Sequence, residues 1–196
     1  MEESFLRFAT VKDAADIAKI YKPYVENTCI TFEYEPPAVE EFERRITHTL
    51  EQYPYLVCQC KEKTVGYAYG SLFRGRTAYS WDVELSIYVA ESMHGRGIGR
   101  ALYTALLELL ALQQYRNAYG VIASPNEKSE HMHRDMGFVQ EARLQNSGYK
   151  SEKWWDVVIY TKTLNPFDKP VTPIAINAVS KESCAQILHS AQQYLK

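Results

Sequence analysis

The stretch Ser92–Tyr103, SMHGRGIGRALY, places three glycines (Gly95, Gly97 and Gly99) at the start of an apolar segment with helical spacing. Glycine weakens a helix interior, so three of them here indicate that the backbone itself must come close to something. The residues up to Val89 favour a strand. A strand, a glycine-rich turn and a helix N-terminus together form an anion site, because N–H groups point outward and the helix dipole attracts negative charge.

Two arginines, Arg96 and Arg100, flank these glycines and add positive charge. The pattern favours a phosphorylated ligand, and a tight strand-to-helix turn without a ligand is the alternative. The spacing excludes two common nucleotide motifs. No lysine follows as in G-x-x-x-x-G-K-[ST], and G-x-G-x-G differs from the dinucleotide fingerprint G-x-G-x-x-G.

Composition favours one globular domain with no broad polyanion-binding surface. The chain has 196 residues, 46% of them apolar, and a net charge of −2, which argues against nucleic acid as a partner. No apolar run approaches the ~20 residues of a membrane span, and the start MEESFLRFAT does not resemble a signal peptide. We expect a cytoplasmic protein without a metal, since the four cysteines lack metal-ligand spacing and suit free thiols: Cys29, Cys58, Cys60 and Cys184.

Hydrophobic periodicity predicts the element order β-α-α-β-β-β-α-β-α-β-β, an α/β fold with a mixed central sheet of about seven strands. Thr10 and Asp13 have the spacing of a capping box before the first helix. Asn126 is expected to open the fourth helix and Gly137 to follow its end. The strands are predicted at 5–9, 55–60, 65–73, 78–89, 119–123, 138–143 and 155–163.

The last part of the chain differs in composition from the rest. The segment Asn165–Pro173, NPFDKPVTP, contains three prolines and predicts a linker. We therefore divide the chain into a domain at 1–164 and, at 165–196, a proline-containing linker with a C-terminal amphipathic helix. The apolar stripe of that helix must be buried on its own domain or on a partner chain: Cys184, Ile187, Leu188, Ala191 and Tyr194.

The segment Val83–Tyr103 resembles the core of the Gcn5-related N-acetyltransferases, in which a [Q/R]-x-x-G-x-[G/A] turn holds the pyrophosphate of acetyl-CoA. Here the turn reads HGRGIG, with His94 in place of the usual Gln or Arg. A second landmark, Asn126–Ser129, matches the helix that flanks the pantetheine arm. The resemblance implies acetyl-CoA as co-substrate and these contacts for it: Ile87, Tyr88, Val89, His94, Gly95, Arg96, Gly97, Ile98, Gly99, Arg100, Asn126 and Ser129.

Further stretches resemble the phosphinothricin acetyltransferase branch of that family, from about residue 5 to 164. They read TFEYEP, YPYLV, RTAYSWDVELSIYV, SPN and GYKSEKWWDV. Members of the branch acetylate the free amine of small amino-acid-like compounds such as phosphinothricin and methionine sulfoximine or sulfone. They are usually dimeric, so the resemblance implies a homodimer in which Tyr149 and Lys150 approach the neighbouring subunit's site.

Glu84 is the candidate general base, because it is a carboxylate within an aromatic and apolar strand where burial would raise its pKa. The branch has a matching glutamate. The alternatives are a pairing of Glu84 with a core arginine, or Asp82, two residues earlier, as the base. His133 matches a branch histidine that is placed to protonate or hydrogen-bond the leaving thiolate, and the alternative for it is a packing role. His131 and His133 do not have the spacing of a helical zinc pair.

The resemblance also implies how the acetyl group and the acceptor are held. In the family, the strand before the glycine loop separates from its neighbour, and free N–H groups at Ile87–Val89 polarise the thioester carbonyl. Arg74 and Arg76 suit the anionic groups of an amino-acid-like acceptor, and Phe32 would wall its site. Solvated loop charges and simple packing are the alternatives.

These residues together predict an N-acetyltransferase in which the amine attacks the thioester directly in a ternary complex. Two alternatives remain open. The acceptor could be a protein N-terminus, a polyamine or an aminoglycoside, or the chain could be a non-catalytic acyl-CoA-binding sensor.

Overall fold

The computed structural model describes residues 4–196, and its centre is a seven-stranded sheet with the order β1-β2-β3-β4-β5-β7-β6. Only β4 and β5 are parallel neighbours. The strands are β1 (Ser4–Phe8), β2 (Tyr55–Cys60), β3 (Lys63–Leu72), β4 (Asp82–Val89), β5 (Asn117–Ser124), β6 (Val139–Lys150) and β7 (Lys153–Thr163).

Five α-helices cover the sheet: α1 (Ala14–Asn27), α2 (Val39–Gln52), α3 (Ile98–Leu112), α4 (Glu127–Asp135) and α5 (Lys181–Ala191). The predicted fold class is confirmed. The predicted helix ends are also present. The Asp13 carboxylate accepts from the backbone N–H of Thr10 at 2.8 Å, Asn126 accepts from the N–H of Ser129 at 3.3 Å, and Gly137 has φ +80°.

The predicted strand boundaries differ from the observed ones most clearly at the start of β4, in the β6–β7 hairpin and at the turn between β2 and β3. Residues Thr77–Tyr79 form a turn of 3₁₀ helix, so β4 begins only at Asp82 rather than at residue 78. The β6–β7 hairpin is longer than predicted, because the two strands pair with each other as far as Lys150 and Lys153. The turn between β2 and β3 is two residues long, shorter than predicted.

The core lies on both faces of the sheet. One face packs against α1 and α2 around Ile17, Ile46 and Tyr67. The other packs against α3, whose buried side chains include Leu102, Leu106 and Leu110. The α3 helix therefore runs through the larger core cluster, and its first turn presents the glycine-rich segment at the end of β4.

The C-terminal helix packs on its own chain, which decides between the two alternatives left by the sequence. Helix α5 lies against α3 and β1, and Cys184, Leu188 and Ala191 are buried in the same core cluster as α3. Within residues 4–196, no helix is long and apolar enough to cross a membrane.

Candidate active site

The two parallel strands of the sheet separate where the glycine-rich segment begins. Their pairing ends at Leu85 and Gly120, although the strands continue to Val89 and Ser124. A gap therefore opens between the C-terminal halves of β4 and β5, as the sequence resemblance implied.

Backbone N–H groups of β4 point into this gap. Neighbouring residues of a strand direct their N–H groups to opposite edges. The N–H of Ala90 donates to Val65 at 2.9 Å, on the β3 side. By this alternation, the N–H groups of Ile87 and Val89 face the gap, and that of Tyr88 faces β3. Two of the three expected backbone donors are therefore directed at the gap.

The three glycines of the loop have three different roles. Gly95 and Gly97 both have φ +77°, a conformation that strains other residues. At Gly97 a Cβ atom would also lie 1.8 Å from the carbonyl oxygen of Tyr194. At Gly99 a Cβ would make only ordinary contacts, the nearest with Met132 Sδ at 3.4 Å. The packing of the protein therefore does not itself require glycine at position 99.

Two adjoining cavities follow the gap. The first, of about 350 Å³, lies along the glycine loop. The second, of about 240 Å³, lies over Glu84 and His133. Five residues line both cavities. They lie after α1, at the end of β4 and at the start of α4: Ile30, Ile87, Tyr88, Asn126 and Ser129. All the residues predicted to hold acetyl-CoA line one of these cavities except Arg96, whose carbonyl instead accepts from the N–H of Lys196.

His133 is buried, with 2% of its surface exposed, and both ring nitrogens have partners. Nδ1 lies 2.8 Å from the carbonyl oxygen of Ser129, which only accepts, so Nδ1 carries the proton. Nε2 then holds a lone pair and accepts from the Tyr103 hydroxyl at 3.2 Å. Burial lowers the pKa of His133, so the ring is neutral near pH 7, and its Nε2 has no proton to give to a leaving group.

Gly120 makes room for this histidine. A Cβ atom on Gly120 would lie 2.4 Å from Nε2 of His133. The imidazole therefore packs directly on the backbone of β5, at the last residue that pairs with β4. The sequence contains no local signal for this contact.

Glu84 lines the same cavity as His133 and Tyr103. Burial raises the pKa of Glu84, and within the described residues it has no ion-pair partner, so the core-arginine alternative is wrong. Burial and the nearby charge of Glu84 also raise the pKa of Tyr103. Asp82 instead accepts from the side-chain amide of Asn117 at 3.0 Å, and it lines neither cavity.

A carboxylate, a phenol and an imidazole thus line one cavity, which adjoins a second cavity along the glycine loop. Residues 6–159 match the family model described as an acetyltransferase (GNAT) domain. The chain belongs to the GNAT acetyltransferase family. This confirms the resemblance noted in the sequence and the assignment as an acetyltransferase.

Several relatives are named as acetyltransferases of phosphinothricin or of methionine sulfoximine and methionine sulfone. Phosphinothricin N-acetyltransferase of Streptomyces viridochromogenes is 30% identical over 90% of this chain and 94% of its own length. L-methionine sulfoximine/L-methionine sulfone acetyltransferase of Pseudomonas aeruginosa is 29% identical over 82% and 95%. The crystal structure of a phosphinothricin acetyltransferase from Sinorhizobium meliloti, in complex with AcCoA, has a TM-score of 0.83 and 32% identity, covering 89% of this chain and 96% of that one.

The GNAT loop of this chain has a side-chain anchor of its own. Nε2 of His94, at the position of the usual Gln or Arg, lies 3.1 Å from both the Val89 carbonyl oxygen and the Tyr24 hydroxyl. The Tyr24 hydroxyl donates to the same carbonyl at 2.6 Å. His94 therefore ties the loop to β4 and α1, and the cationic side chains that line the cavity along the loop are Arg100 and Lys128.

Several cavity residues were not predicted from the sequence, among them Tyr24, Tyr103 and Lys128. Tyr24 and Tyr103 lie within apolar helical stripes, where the sequence pattern marks them only as core. Lys128 stands in the NEKS segment that was recognised, so its charge beside Asn126 was the available signal.

The acceptor-side predictions have mixed placements. Phe32 lines the cavity of Glu84 and packs on Gly148, where a Cβ atom would lie 2.2 Å from its ring. Arg74 and Arg76 lie outside both cavities, on the exposed loop after β3, and the Arg74 guanidinium covers the rings of Phe73 and Tyr79.

Lys150 is directed into its own chain rather than towards a neighbouring subunit. It is 5% exposed, and its Nζ donates to the carbonyl oxygens of Val25 and Thr31 at 2.7 Å each. Lys150 therefore holds the segment that leads to Phe32. Within residues 4–196, no group of three or more His, Cys, Asp or Glu side chains is placed to hold a metal ion.

Proposed function

We propose that this chain transfers the acetyl group of acetyl-CoA to the primary amine of a small amino-acid-like acceptor, of the phosphinothricin, methionine sulfoximine or methionine sulfone type. The observation that carries the proposal is the separation of β4 from β5 after Leu85 and Gly120. It joins the anion-binding loop to the cavity of Glu84, so donor and acceptor meet in one continuous space.

The residues along the loop fit acetyl-CoA, which supplies an activated acetyl thioester when bound. The loop N–H groups, Arg100 and Lys128 hold the pyrophosphate, and Gly99 leaves room for it. Asn126 and Ser129 flank the narrow part of the groove. The N–H groups of Ile87 and Val89 donate to the carbonyl oxygen, which favours attack at the carbonyl carbon.

Glu84 takes the proton of the acceptor's ammonium, directly or through one water, so that a neutral amine attacks. Its raised pKa suits that role. Neutral His133 accepts from Tyr103 through Nε2, so this pair presents the phenolic hydroxyl, rather than an imidazolium, as the nearest hydrogen-bond donor. His133 acts by holding Tyr103 in place. When the Tyr103 hydroxyl turns from Nε2 to the departing sulfur it would give the sulfur its single proton, and the phenolate left behind would take up the proton that the attacking nitrogen must lose.

The acceptor class is supported by the names of the relatives and by the size of the cavity of Glu84, about 240 Å³, which suits a small molecule. Phe32 forms one wall.

The role of Arg74 and Arg76 towards the acceptor's anionic groups is tested separately, because neither lines the cavity. Changing each to alanine raises KM for the acceptor and leaves KM for acetyl-CoA unchanged if the assignment is right.

We also propose a cytoplasmic homodimer. The cysteines are all free, which suits a reducing compartment. Large apolar side chains lie exposed along the β6–β7 hairpin, which suits a self-association surface: Val139, Leu144, Tyr149 and Trp154. Light scattering after gel filtration tests the dimer, and a Trp154→Glu and Leu144→Glu double variant that stays dimeric would exclude this surface.

The function is tested by thiol release from acetyl-CoA across a panel of amines. The panel holds phosphinothricin, methionine sulfoximine, methionine sulfone, proteinogenic amino acids, spermidine and an N-terminal peptide. Turnover of the first three supports the proposal, and turnover of only spermidine or peptide contradicts the acceptor class.

The role of Glu84 is tested with two isosteric variants. Glu84→Gln lowers kcat/KM by about 100-fold or more while CoA still binds, because the base is lost but the loop is intact. The matched control is Asp82→Asn, which removes the neighbouring carboxylate and retains activity. CoA binding without turnover by the unchanged enzyme on every amine would favour a non-catalytic acyl-CoA sensor.

A further inference from the structure

The glycine loop is covered on its outer side by the last three residues of the chain. Gly97 lines the cavity, and it also lies so close to Tyr194 that a Cβ atom would be 1.8 Å from the carbonyl oxygen. The same loop residue therefore meets both the cavity and the segment 194–196.

Two further contacts join this segment to the loop. The N–H of Lys196 donates to the Arg96 carbonyl oxygen at 3.0 Å. The Arg100 guanidinium lies over the Tyr194 ring, 5.2 Å from its centre. Arg100 also lines the cavity along the loop, and together with Tyr194 it lines a further cavity of about 460 Å³.

The segment is itself held firmly. It follows α5, which packs on α3 through Leu188 and Ala191, and both Tyr194 and Leu195 pack against the same core cluster. The contacts with the loop are therefore made from a fixed support. The match to the GNAT family model ends at residue 159, so this support is additional to the part of the chain that defines the family.

We propose that Tyr194 and Lys196 are positioning residues for acetyl-CoA. A loop with two glycines at positive φ has more conformations to lose on binding than ordinary backbone. Contacts that hold it in the binding conformation before the ligand arrives raise affinity by lowering that cost. The segment 194–196 holds the loop from behind, and the Tyr194 ring directs Arg100 towards the pyrophosphate. This inference rests on the proposed use of the loop for acetyl-CoA.

Two variants remove these contacts one at a time. Tyr194→Ala removes the ring under Arg100, and Tyr194→Phe keeps it. Lys196→Pro removes the donor N–H together with the lysine side chain, and Lys196→Gln removes the charge while keeping the N–H. Proline is tolerated there because Leu195 already has φ −71° and ψ 134°, the conformation favoured before proline. Gln193→Ala, at an exposed position, is a further control.

The measurements are the Kd of CoA by calorimetry and steady-state KM and kcat with acetyl-CoA varied. We expect Tyr194→Ala to raise Kd and KM for the cofactor about 3- to 10-fold and Lys196→Pro about 3-fold. The kcat value and KM for the acceptor stay within about twofold of the unchanged enzyme, and the three control variants match it. Thermal melts separate loss of binding from loss of folding.

Unchanged CoA binding in Tyr194→Ala and Lys196→Pro would overturn the positioning role and leave the proposed function standing. Equal increases in KM for both substrates would also overturn it, since a local effect on the loop predicts an effect on the cofactor alone. Failure of the unchanged enzyme to bind CoA would overturn the proposed function, and this inference with it.

Discussion

Changing Gly120 to alanine tests whether the position of His133 controls catalysis. The new Cβ atom would lie 2.4 Å from Nε2 of a buried ring, which must move away from β5. That movement breaks the 3.2 Å contact with Tyr103 and strains the 2.8 Å bond with Ser129. Overpacking of this kind costs about 1–3 kcal/mol of the free energy of unfolding, which lowers Tm by about 3–10 °C.

The expected effect on activity is larger than the effect on folding. A displacement of about 1 Å in a catalytic constellation costs up to ~100-fold in rate, so kcat should fall about 10- to 100-fold. The assay is thiol release with both substrates varied, at a temperature well below the variant's Tm. Because the proposed CoA site is the glycine loop, the Kd of CoA should change little.

Gly70→Ala is the matched control for the stability cost alone. Gly70 is also a strand glycine, and a Cβ there would lie 3.1 Å from Val83 and 3.3 Å from Leu110, both core side chains outside the two cavities. It should lower Tm and leave kcat within about twofold. If Gly120→Ala has the same kcat as Gly70→Ala, the geometry of His133 is not part of catalysis and the reasoning is refuted.

Three other outcomes follow from buried polar groups. The raised pKa of Glu84 places the acid limb of kcat/KM at higher pH than for an ordinary glutamate. A carboxyl whose pKa is raised in the folded state destabilises that state once the carboxyl ionises. Glu84→Gln should therefore raise Tm at pH 8 and not at pH 4. A lower Tm of the variant at pH 8 would contradict this. Lys150→Met leaves the carbonyl oxygens of Val25 and Thr31 without their hydrogen-bond donor. The free energy of unfolding, measured with urea, should therefore fall by about 2 kcal/mol or more. A fall of less than about 0.5 kcal/mol would show that these oxygens find other donors. Burial raises the pKa of Asp13, but the hydrogen bonds from Arg7 and Thr64 outweigh this effect and lower the pKa to about 2. The Tm should therefore decrease as the pH drops from 4 to 2, and this decrease should be smaller in Asp13→Asn.

Much of the site could be predicted because its signals are local in the chain. The spacing of Gly95, Gly97 and Gly99 indicates a backbone anion site, and a carboxylate at position 84 within an apolar strand indicates a shifted pKa. The order of elements follows from periodicity, since side-chain faces repeat along each helix and strand. His133 was found through the resemblance to a family, and the structure changed the expectation for it, because its Nδ1 proton is held by Ser129.

Other parts of the site depend on contacts between segments far apart in sequence. Tyr103 lies on an apolar helix face, and only its meeting with His133, thirty residues away, distinguishes it from the core around it. Arg96 has the charge expected of a phosphate ligand, yet its backbone turns to Lys196. No local pattern encodes which residue of one element meets which residue of another.

The sequence by itself determined the element order, the strand–glycine–helix unit that marks the chain as a GNAT acetyltransferase, and the carboxylate of Glu84. These features depend on residue type and spacing, which the chain carries directly. The tertiary structure alone decided that β4 and β5 separate after Leu85, that the imidazole of His133 is a neutral acceptor, and that the C-terminal helix packs on its own chain to support the glycine loop. The reason is physical: proton positions, strand separation and packing partners are set by groups that meet only after the chain has folded.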